Sequence, residues 1–397
     1  MSDDSRPCTN ASAAGHGGVL TIDLGALAAN YRTLAARARP AETAAAVKGD
    51  GYGLGLAQVA LALHAAGCRT YFVAHLGEAE ALRRVLAPAQ ADIYVLNGLL
   101  PSMAARLAHV AARPVLGSLA EIDEWRGFAA AGGAPPAAIQ IDTGFTRLGL
   151  GPSDIAALGA DPSRHAGFET ALVLSHLACA DDPGHAMNEA QLARFREALA
   201  LFPGVRASLA NSAGIALGAG YHFDMVRPGI ALYGGRARIS GANDMARVVS
   251  LDVPILQVRA AAPGSSAGYG ATYRFARRSK VALVSLGYGD GFLRALGASG
   301  ERPGGRLFVA GRPCPIVGRV SMDITAIDVT DFGAAEDGAG PARGDMAEVL
   351  GAHQSIDDLA AAAGTIGYEI LTRLGLRHAR VYSPPAPPAL PSGASPS

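Results

Sequence analysis

This chain of 397 residues has no long hydrophobic run. Hydrophobic residues make up 50% of it, yet no stretch reaches the length a helix needs to cross a bilayer. The apolar content is instead broken into short pieces, as in a globular protein with a sizeable core. Cysteine is scarce and scattered: Cys8, Cys68, Cys179 and Cys314, with no Cys-x-x-Cys pair. That pattern argues against a zinc site and a disulfide framework, and it fits a reducing compartment. An excess of one charge is also missing, with 34 Lys+Arg against 34 Asp+Glu. No basic surplus points to nucleic acid or to an anionic membrane surface. The first residues, MSDDSRPCTNASAAGHGG, are polar and lack the apolar centre of a secretory signal. The expectation is a soluble cytoplasmic protein without a metal, a membrane or a nucleic-acid partner.

What is present is a change of rhythm. A chain of this length implies about two domains. Residues 1–17 and 384–397 are small, polar or proline-rich and read as tails. Eight short apolar runs recur between them: Thr43–Lys48, Thr70–His75, Ile93–Asn97, Pro114–Gly117, Ala138–Asp142, Ala171–His176, Ala207–Asn211 and Met225–Arg227. Alanine- and leucine-rich stretches with helical spacing, such as Leu56–Ala66, separate most of them. Eight buried strands alternating with helices predict an α/β region, a (β/α)8 barrel over 18–243. Beyond it, Val248–Val258, Lys280–Leu286, Arg306–Val309 and Ile324–Val329 are strand-like and separated by turn residues. They predict a mostly antiparallel β domain over 244–383, which the early run Val19–Ile22 could join.

Polar residues stand at the C-terminal ends of the barrel runs, the rim where barrel enzymes place their sites. Lys48 follows the first run, Arg147 the fifth and Ser212 the seventh, while His176 ends the sixth and Arg227 the eighth. Lys48 leads into the glycine-rich Gly49-Asp50-Gly51-Tyr52-Gly53-Leu54-Gly55. A lysine amine is a nucleophile for a carbonyl cofactor and a base once desolvated. Taken singly, Lys48 reads as a solvated charge, His176 as a structural residue, Ser212 as a helix cap and the arginines as surface groups. Their recurrence on successive strand ends is hard to ascribe to chance. Asn211-Ser212-Ala213-Gly214, read as the start of a helix, and Arg227-Pro228-Gly229-Ile230 offer N–H groups and a hydroxyl for an anion.

In order along the chain, Ala46-Val47-Lys48-Gly49-Asp50-Gly51-Tyr52-Gly53, Asp142-Thr143-Gly144-Phe145-Thr146-Arg147-Leu148-Gly149, Ser175-His176-Leu177-Ala178 and Asn211-Ser212 resemble the motifs of alanine racemases. Val226 to Gly234, Gly268-Tyr269-Gly270-Ala271-Thr272-Tyr273, Gly318 to Asp323 and Gly364 to Glu369 continue the resemblance. It implies a barrel plus a C-terminal β domain, pyridoxal 5'-phosphate (PLP) as cofactor, alanine as substrate, and a head-to-tail homodimer with shared active sites. In that family the residue matching Lys48 carries the cofactor and then serves as the base for the D-enantiomer. The one matching Tyr269, contributed by the other subunit, serves the L-enantiomer. Tyrosine is a poor base at a reference pKa of about 10, and the resemblance supplies His176 as its polarising neighbour, itself meeting Arg227. Arg227 in turn faces the pyridine nitrogen, which a guanidinium leaves unprotonated. Tyr52, Ser212, Gly229, Ile230 and Tyr368 match phosphate contacts. Arg147 matches the residue near the cofactor's phenolic oxygen and the substrate carboxylate, and the N–H of Met322, from the partner subunit, matches the other carboxylate contact. Asp181, Arg294, Arg319 and Ile366 match an entrance corridor.

The chain departs from that pattern in places. Gln140 stands where many members carry a carbamylated lysine, and its amide oxygen or a bound anion is expected to orient Arg147 instead. Phe145-Thr146, Leu54 and Ser321 are also unusual choices. The implied function is interconversion of L- and D-alanine, supplying D-alanine for peptidoglycan. The alternatives are a serine or broad-specificity racemase, a PLP decarboxylase or lyase, and a non-catalytic PLP carrier. Arg227 argues against the decarboxylase, and the second domain with Tyr269 argues against the carrier.

Overall fold

The computed structural model describes residues 15, 17–300, 302–332 and 340–384. Almost all of the tails expected at 1–17 and 384–397 lies outside the described residues. The chain divides into two compact units, one spanning Leu24–Ala246 and the other joining the N-terminal strand to Arg247–Pro384.

In chain order β1 (Val19–Asp23) belongs to the second unit, and the strands of the first are β2 (Glu42–Thr43), β3 (Ala45–Ala46), β4 (Thr70–Val73), β5 (Asp92–Val95), β6 (Arg113–Leu116), β7 (Ala137–Gln140), β8 (Thr170–Leu174), β9 (Ala207–Ser208) and β10 (Met225–Val226). Strands β3 to β9 form one parallel sheet in sequence order. The ring returns on itself because β10 pairs parallel with β2, and Asn211 bridges to Arg227. The interior is filled by Ala44, Phe72, Tyr94, Val115, Ala138, Leu172, Leu174 and Met225, which pack as one cluster. Small residues (Ala44, Ala138) leave room for the rings of Phe72 and Tyr94, stacked with centroids 4.9 Å apart. Burying each larger side chain contributes about 1.5–3 kcal/mol. Helix Leu24–Ala38 turns Leu24, Leu27, Tyr31 and Leu34 inward at helical spacing. Its buried Asn30 is satisfied by the carbonyls of Leu232 and Ala246 and by the Ala246 N–H. After β9 the connections are single 3-10 turns at Gly214–Leu217, Ala219–Tyr221 and Ile230–Tyr233.

The second unit is built on β11 (Val249–Ala261), with β12 (Ser266–Ala267), β13 (Tyr273–Arg274), β14 (Ser279–Val284), β15 (Arg306–Val309), β16 (Arg312–Pro315), β17 (Thr325–Asp328), β18 (Met346–Leu350) and β19 (Ala379–Ser383). The long β11 pairs antiparallel with β1, β14 and β18, and a bulge between Ile255 and Gln257 lets it serve two sheet directions. The pairing of β1 with β19 is parallel. Helix Ile356–Ala363 is capped by Ser355, whose hydroxyl accepts the Asp358 N–H, and is stopped by Gly364 at φ 72°.

Candidate active site

Lys48 leaves β3 through a turn of unusual hand. Gly49, Asp50, Gly51, Tyr52 and Gly53 take φ values of 66°, 55°, 63°, 57° and 84° in succession. Left-handed backbone costs a non-glycine residue about 1–2 kcal/mol, so Asp50 and Tyr52 need support. Within the turn, Gly51 N donates to Val47 O at 2.9 Å and Gly53 N to Gly49 O at 2.7 Å. Asp50 Oδ1 accepts Leu56 N at 2.8 Å, and Glu78 Oε1 accepts Gly49 N at 2.6 Å. The Tyr52 ring is stacked on Tyr233, 4.5 Å between centroids. The Lys48 ammonium loses proton affinity through burial and then through the Arg147 charge, with a smaller push from Arg227, while Glu78 opposes them. A partly desolvated amine of lowered proton affinity is what a nucleophile or base requires.

Arg227 is buried at the end of β10. It donates through Nη1 to Ser208 Oγ at 2.5 Å and through Nη2 to the Ser175 carbonyl at 2.6 Å. Among the described residues no carboxylate forms an ion pair with it. Burial first, and the Arg147 charge second, lower its pKa to about 10. The expected neighbourhood of Arg227 and His176 takes an electrostatic form here, the Arg227 charge bearing on the imidazole. The hydrogen bonds of Arg227 go to the Ser208 hydroxyl and the Ser175 backbone carbonyl, which leaves further N–H groups on the guanidinium. His176 is held well below the usual histidine range by burial, then by the charges of Arg227, Arg147 and Lys48. Its imidazole is therefore neutral at neutral pH. Its carbonyl accepts from Gln191 Nε2 (2.9 Å), which also donates to Thr143 Oγ1 (3.0 Å). Thr143 Oγ1 lies 2.9 Å from Ser175 Oγ, so a buried polar chain ties the ends of β7 and β8.

Arg147 sits in a loop shaped by Asp142, whose Oδ1 accepts the N–H groups of Gly144, Phe145 and Thr146 at 2.8, 2.8 and 3.2 Å. The guanidinium lies over the Phe145 ring, 4.2 Å from its centroid. The same ring meets His176 edge-on at 5.6 Å. The expectation that the Gln140 amide oxygen orients Arg147 is corrected. The buried Gln140 side chain donates Nε2 to the Leu148 carbonyl at 2.7 Å and so fixes the backbone beyond Arg147, while Phe145 contacts the guanidinium.

The two segments expected to hold an anion meet through the Asn211–Arg227 bridge. Ser212 Oγ accepts from Gly229 N at 2.8 Å and from Ala231 N at 3.3 Å, leaving its own proton to donate outward. Ser212 is therefore not a helix cap, and the segment opens a 3-10 turn rather than a helix. Ahead of that turn, Asn211 Oδ1 accepts Gly214 N at 2.9 Å. A Cβ on Gly229 would fall 2.2 Å from Tyr52 Oη, so only glycine lets the tyrosine hydroxyl approach this backbone. Ile230 begins the next 3-10 turn and is fully buried. These features fit PLP: an amine, a hydroxyl and backbone N–H groups suited to a phosphate, and a buried guanidinium with N–H groups beyond those given to Ser208 and Ser175, able to face a ring nitrogen.

The first unit thus gathers Lys48, Tyr52, Arg147, His176, Ser212, Arg227, Gly229 and Ile230, with Asp181 exposed in the loop after β8. Tyr269, Met322, Tyr368, Arg294, Arg319 and Ile366 belong to the second unit. There Tyr269 stands in the tight loop between β12 and β13, where a Cβ on Gly268 would meet Arg319 N at 2.7 Å. Tyr269 is 70% exposed, Met322 53%, Ile366 62% and Tyr368 38%, an uncommon display of large apolar side chains. Sequence reasoning missed Glu78, Gln191 and Ser208. A buried glutamine on a helix was the available signal for Gln191; nothing marked Ser208.

Residues 22–237 match the family described as alanine racemase, N-terminal domain, and residues 248–382 match alanine racemase, C-terminal domain. An alanine racemase of Methylobacterium sp. (strain 4-46) is 49% identical over 368 residues, 92% of this chain and 98% of that one. Another, of Rhizobium meliloti (strain 1021), is 46% identical over 369 residues, 91% of this chain and 96% of the relative. Among solved structures, alanine racemase from Bartonella henselae, which has covalently bound pyridoxal phosphate, superposes with a TM-score of 0.87 at 38% identity. It covers 92% of this chain and 99% of its own.

Proposed function

The chain belongs to the alanine racemase family, and on that premise we propose that the rim of its barrel interconverts L- and D-alanine by proton transfer between Lys48 and Tyr269 of the partner subunit. It is an isomerase, and its cofactor is PLP. The observation that carries the reading is the buried Arg227, which gives two of its N–H groups to neutral acceptors and has no carboxylate ion partner among the described residues. A guanidinium only donates, so a ring nitrogen facing it keeps its lone pair. When bound, PLP supplies the electron sink that acidifies the α-proton.

The chain's own residues do the rest. Lys48 Nζ, its proton affinity lowered by burial and the Arg147 charge, takes or returns the proton on one face. Tyr269 Oη of the partner subunit does so on the other, with the neutral His176 ring as its polarising neighbour. Arg147 and the Met322 N–H of the partner subunit hold the substrate carboxylate. Tyr52, Ser212, Gly229, Ile230 and Tyr368 hold the phosphate. The exposure of Tyr269, Met322 and Tyr368 supports the shared-site reading, since such side chains mark an interaction surface. The head-to-tail dimer, a cytoplasmic location and the supply of D-alanine for peptidoglycan are parts of the same proposal. No helix among the described residues is long and apolar enough to cross a membrane.

The test has two arms. Purified protein with PLP should form D-alanine from L-alanine and act far less on L-Ser, L-Lys and L-Arg. Lys48→Ala and Tyr269→Phe should each be inactive alone. Mixed dimers of the two contain one intact site if the sites are shared, so a random mixture regains about a quarter of wild-type activity. No recovery would sink the shared site.

A further inference from the structure

We propose that Glu78 is the positioning residue of Lys48, anchoring the left-handed turn that presents the amine and supplying the negative charge that faces it. Glu78 is the third residue of helix Leu76–Leu86. A glutamate there ordinarily closes a capping box on its own helix. One oxygen does so: Oε2 accepts Ala74 N at 2.7 Å and His75 N at 3.1 Å. The cap does not explain Oε1. It accepts the N–H of Gly49, the residue after Lys48 and the first left-handed position, at 2.6 Å. One carboxylate thus joins the end of β4 to the turn beyond β3, beside the Lys48 backbone.

The charge pattern gives this contact a chemical role. Arg147 and Arg227 act on the Lys48 amine from other strand ends, both disfavouring its proton, and Lys48 in turn bears on His176. Glu78 is the carboxylate that acts in the opposite sense. A base that must accept a proton and later return it needs proton affinity near the working pH. Two guanidinium groups and burial all act to lower that affinity. Glu78 offsets them without touching the reacting atoms.

The inference rests on the reading of Lys48 as the site lysine, but its test does not require turnover. The chain has two lysines, Lys48 and Lys280. Full-length protein freed of cofactor is pulsed with acetic anhydride across a pH series, and acetylation at each lysine is measured by peptide mass spectrometry. Only the neutral amine reacts. In Glu78→Gln, removal of the charge lowers the Lys48 midpoint by half a pH unit or more. Below that midpoint its acetylation is then about threefold faster than in the wild type, with Lys280 unchanged. Glu78→Asp keeps the charge and shortens the reach, and its Lys48 profile stays within about twofold of the wild type. An unchanged Lys48 profile in Glu78→Gln overturns the proposal, as does an equal shift in both variants, which would mark a purely structural role. Failure of the wild type to racemise alanine would count against the functional reading alone.

Discussion

Arg227 Nη1 lies 2.5 Å from Ser208 Oγ, and that hydroxyl donates onward to the Met225 carbonyl at 2.6 Å. The serine spends its proton on the backbone and so presents a lone pair to the guanidinium. Ser208→Ala removes the acceptor and strands a buried charged donor, which costs about 1–3 kcal/mol. Urea unfolding should show that loss, whereas Ser208→Thr, which keeps the hydroxyl, should recover part of it. A Ser208→Ala variant as stable as the wild type would mean that Arg227 finds another acceptor.

Gly229 is the tightest point of the proposed phosphate site. An alanine there puts its methyl 2.2 Å from Tyr52 Oη, and Tyr52 cannot swing away while stacked on Tyr233. The expected result is a Kd for PLP at least about tenfold weaker, or 1.4 kcal/mol, measured by fluorescence titration of the cofactor-free protein. Unchanged affinity would place the phosphate elsewhere.

Phe145 supports Arg147 from below and meets His176 with its edge. A cation over an aromatic face at an exposed site contributes about 0.5–1 kcal/mol. Phe145→Leu keeps an apolar side chain and loses the π face, so KM for alanine should rise about two- to fivefold while kcat changes little. Phe145→Tyr should restore KM. A fall in kcat with KM constant would refute a role in carboxylate binding.

The histidines give stability a direction with pH. His176, His64, His165 and His378 all have folded pKa values depressed by burial as the leading cause. The unfolded chain therefore binds more protons below the unfolded value of about 6.5. Above that pH these residues impose no penalty; below it stability falls until the folded pKa is reached, by up to about 1.4 kcal/mol per pH unit for the buried His176 and His378 and by much less for the more solvated His64 and His165. Urea midpoints should drop between pH 7 and 5, and His176→Asn should shallow that slope. A slope unaltered in His176→Asn would mean that the imidazole protonates in the folded protein without cost.

Much of the barrel was legible because its strands are short, apolar and bounded by turn residues, so Thr70–Val73 and Ala137–Gln140 could be placed within a residue or two. The strand-end rule then put Lys48, Arg147, His176, Ser212 and Arg227 on one rim. What stayed hidden was the hand of the turn after Lys48. Glycines at 49, 51 and 53 signal freedom, but left-handed Asp50 and Tyr52 depend on Glu78 and Tyr233, both far away in sequence. The partners of Gln140 and Arg227 were hidden likewise, since neither Leu148's carbonyl nor Ser208's hydroxyl advertises its role. The strands Arg312–Pro315, Met346–Leu350 and Ala379–Ser383 went unread because prolines, charges and brevity mask their pairing.

The strand Val19–Asp23 has a consequence for biosynthesis. Leu20 and Ile22, wholly buried in the finished protein, find their partners on β11 and β19, which are made only after the whole barrel segment. Domains form in order of emergence from the ribosome. The nascent chain must therefore carry an unpaired apolar strand at its front while the barrel folds behind it. The β unit is finished only when its last strand, Ala379–Ser383, arrives to lie beside its first.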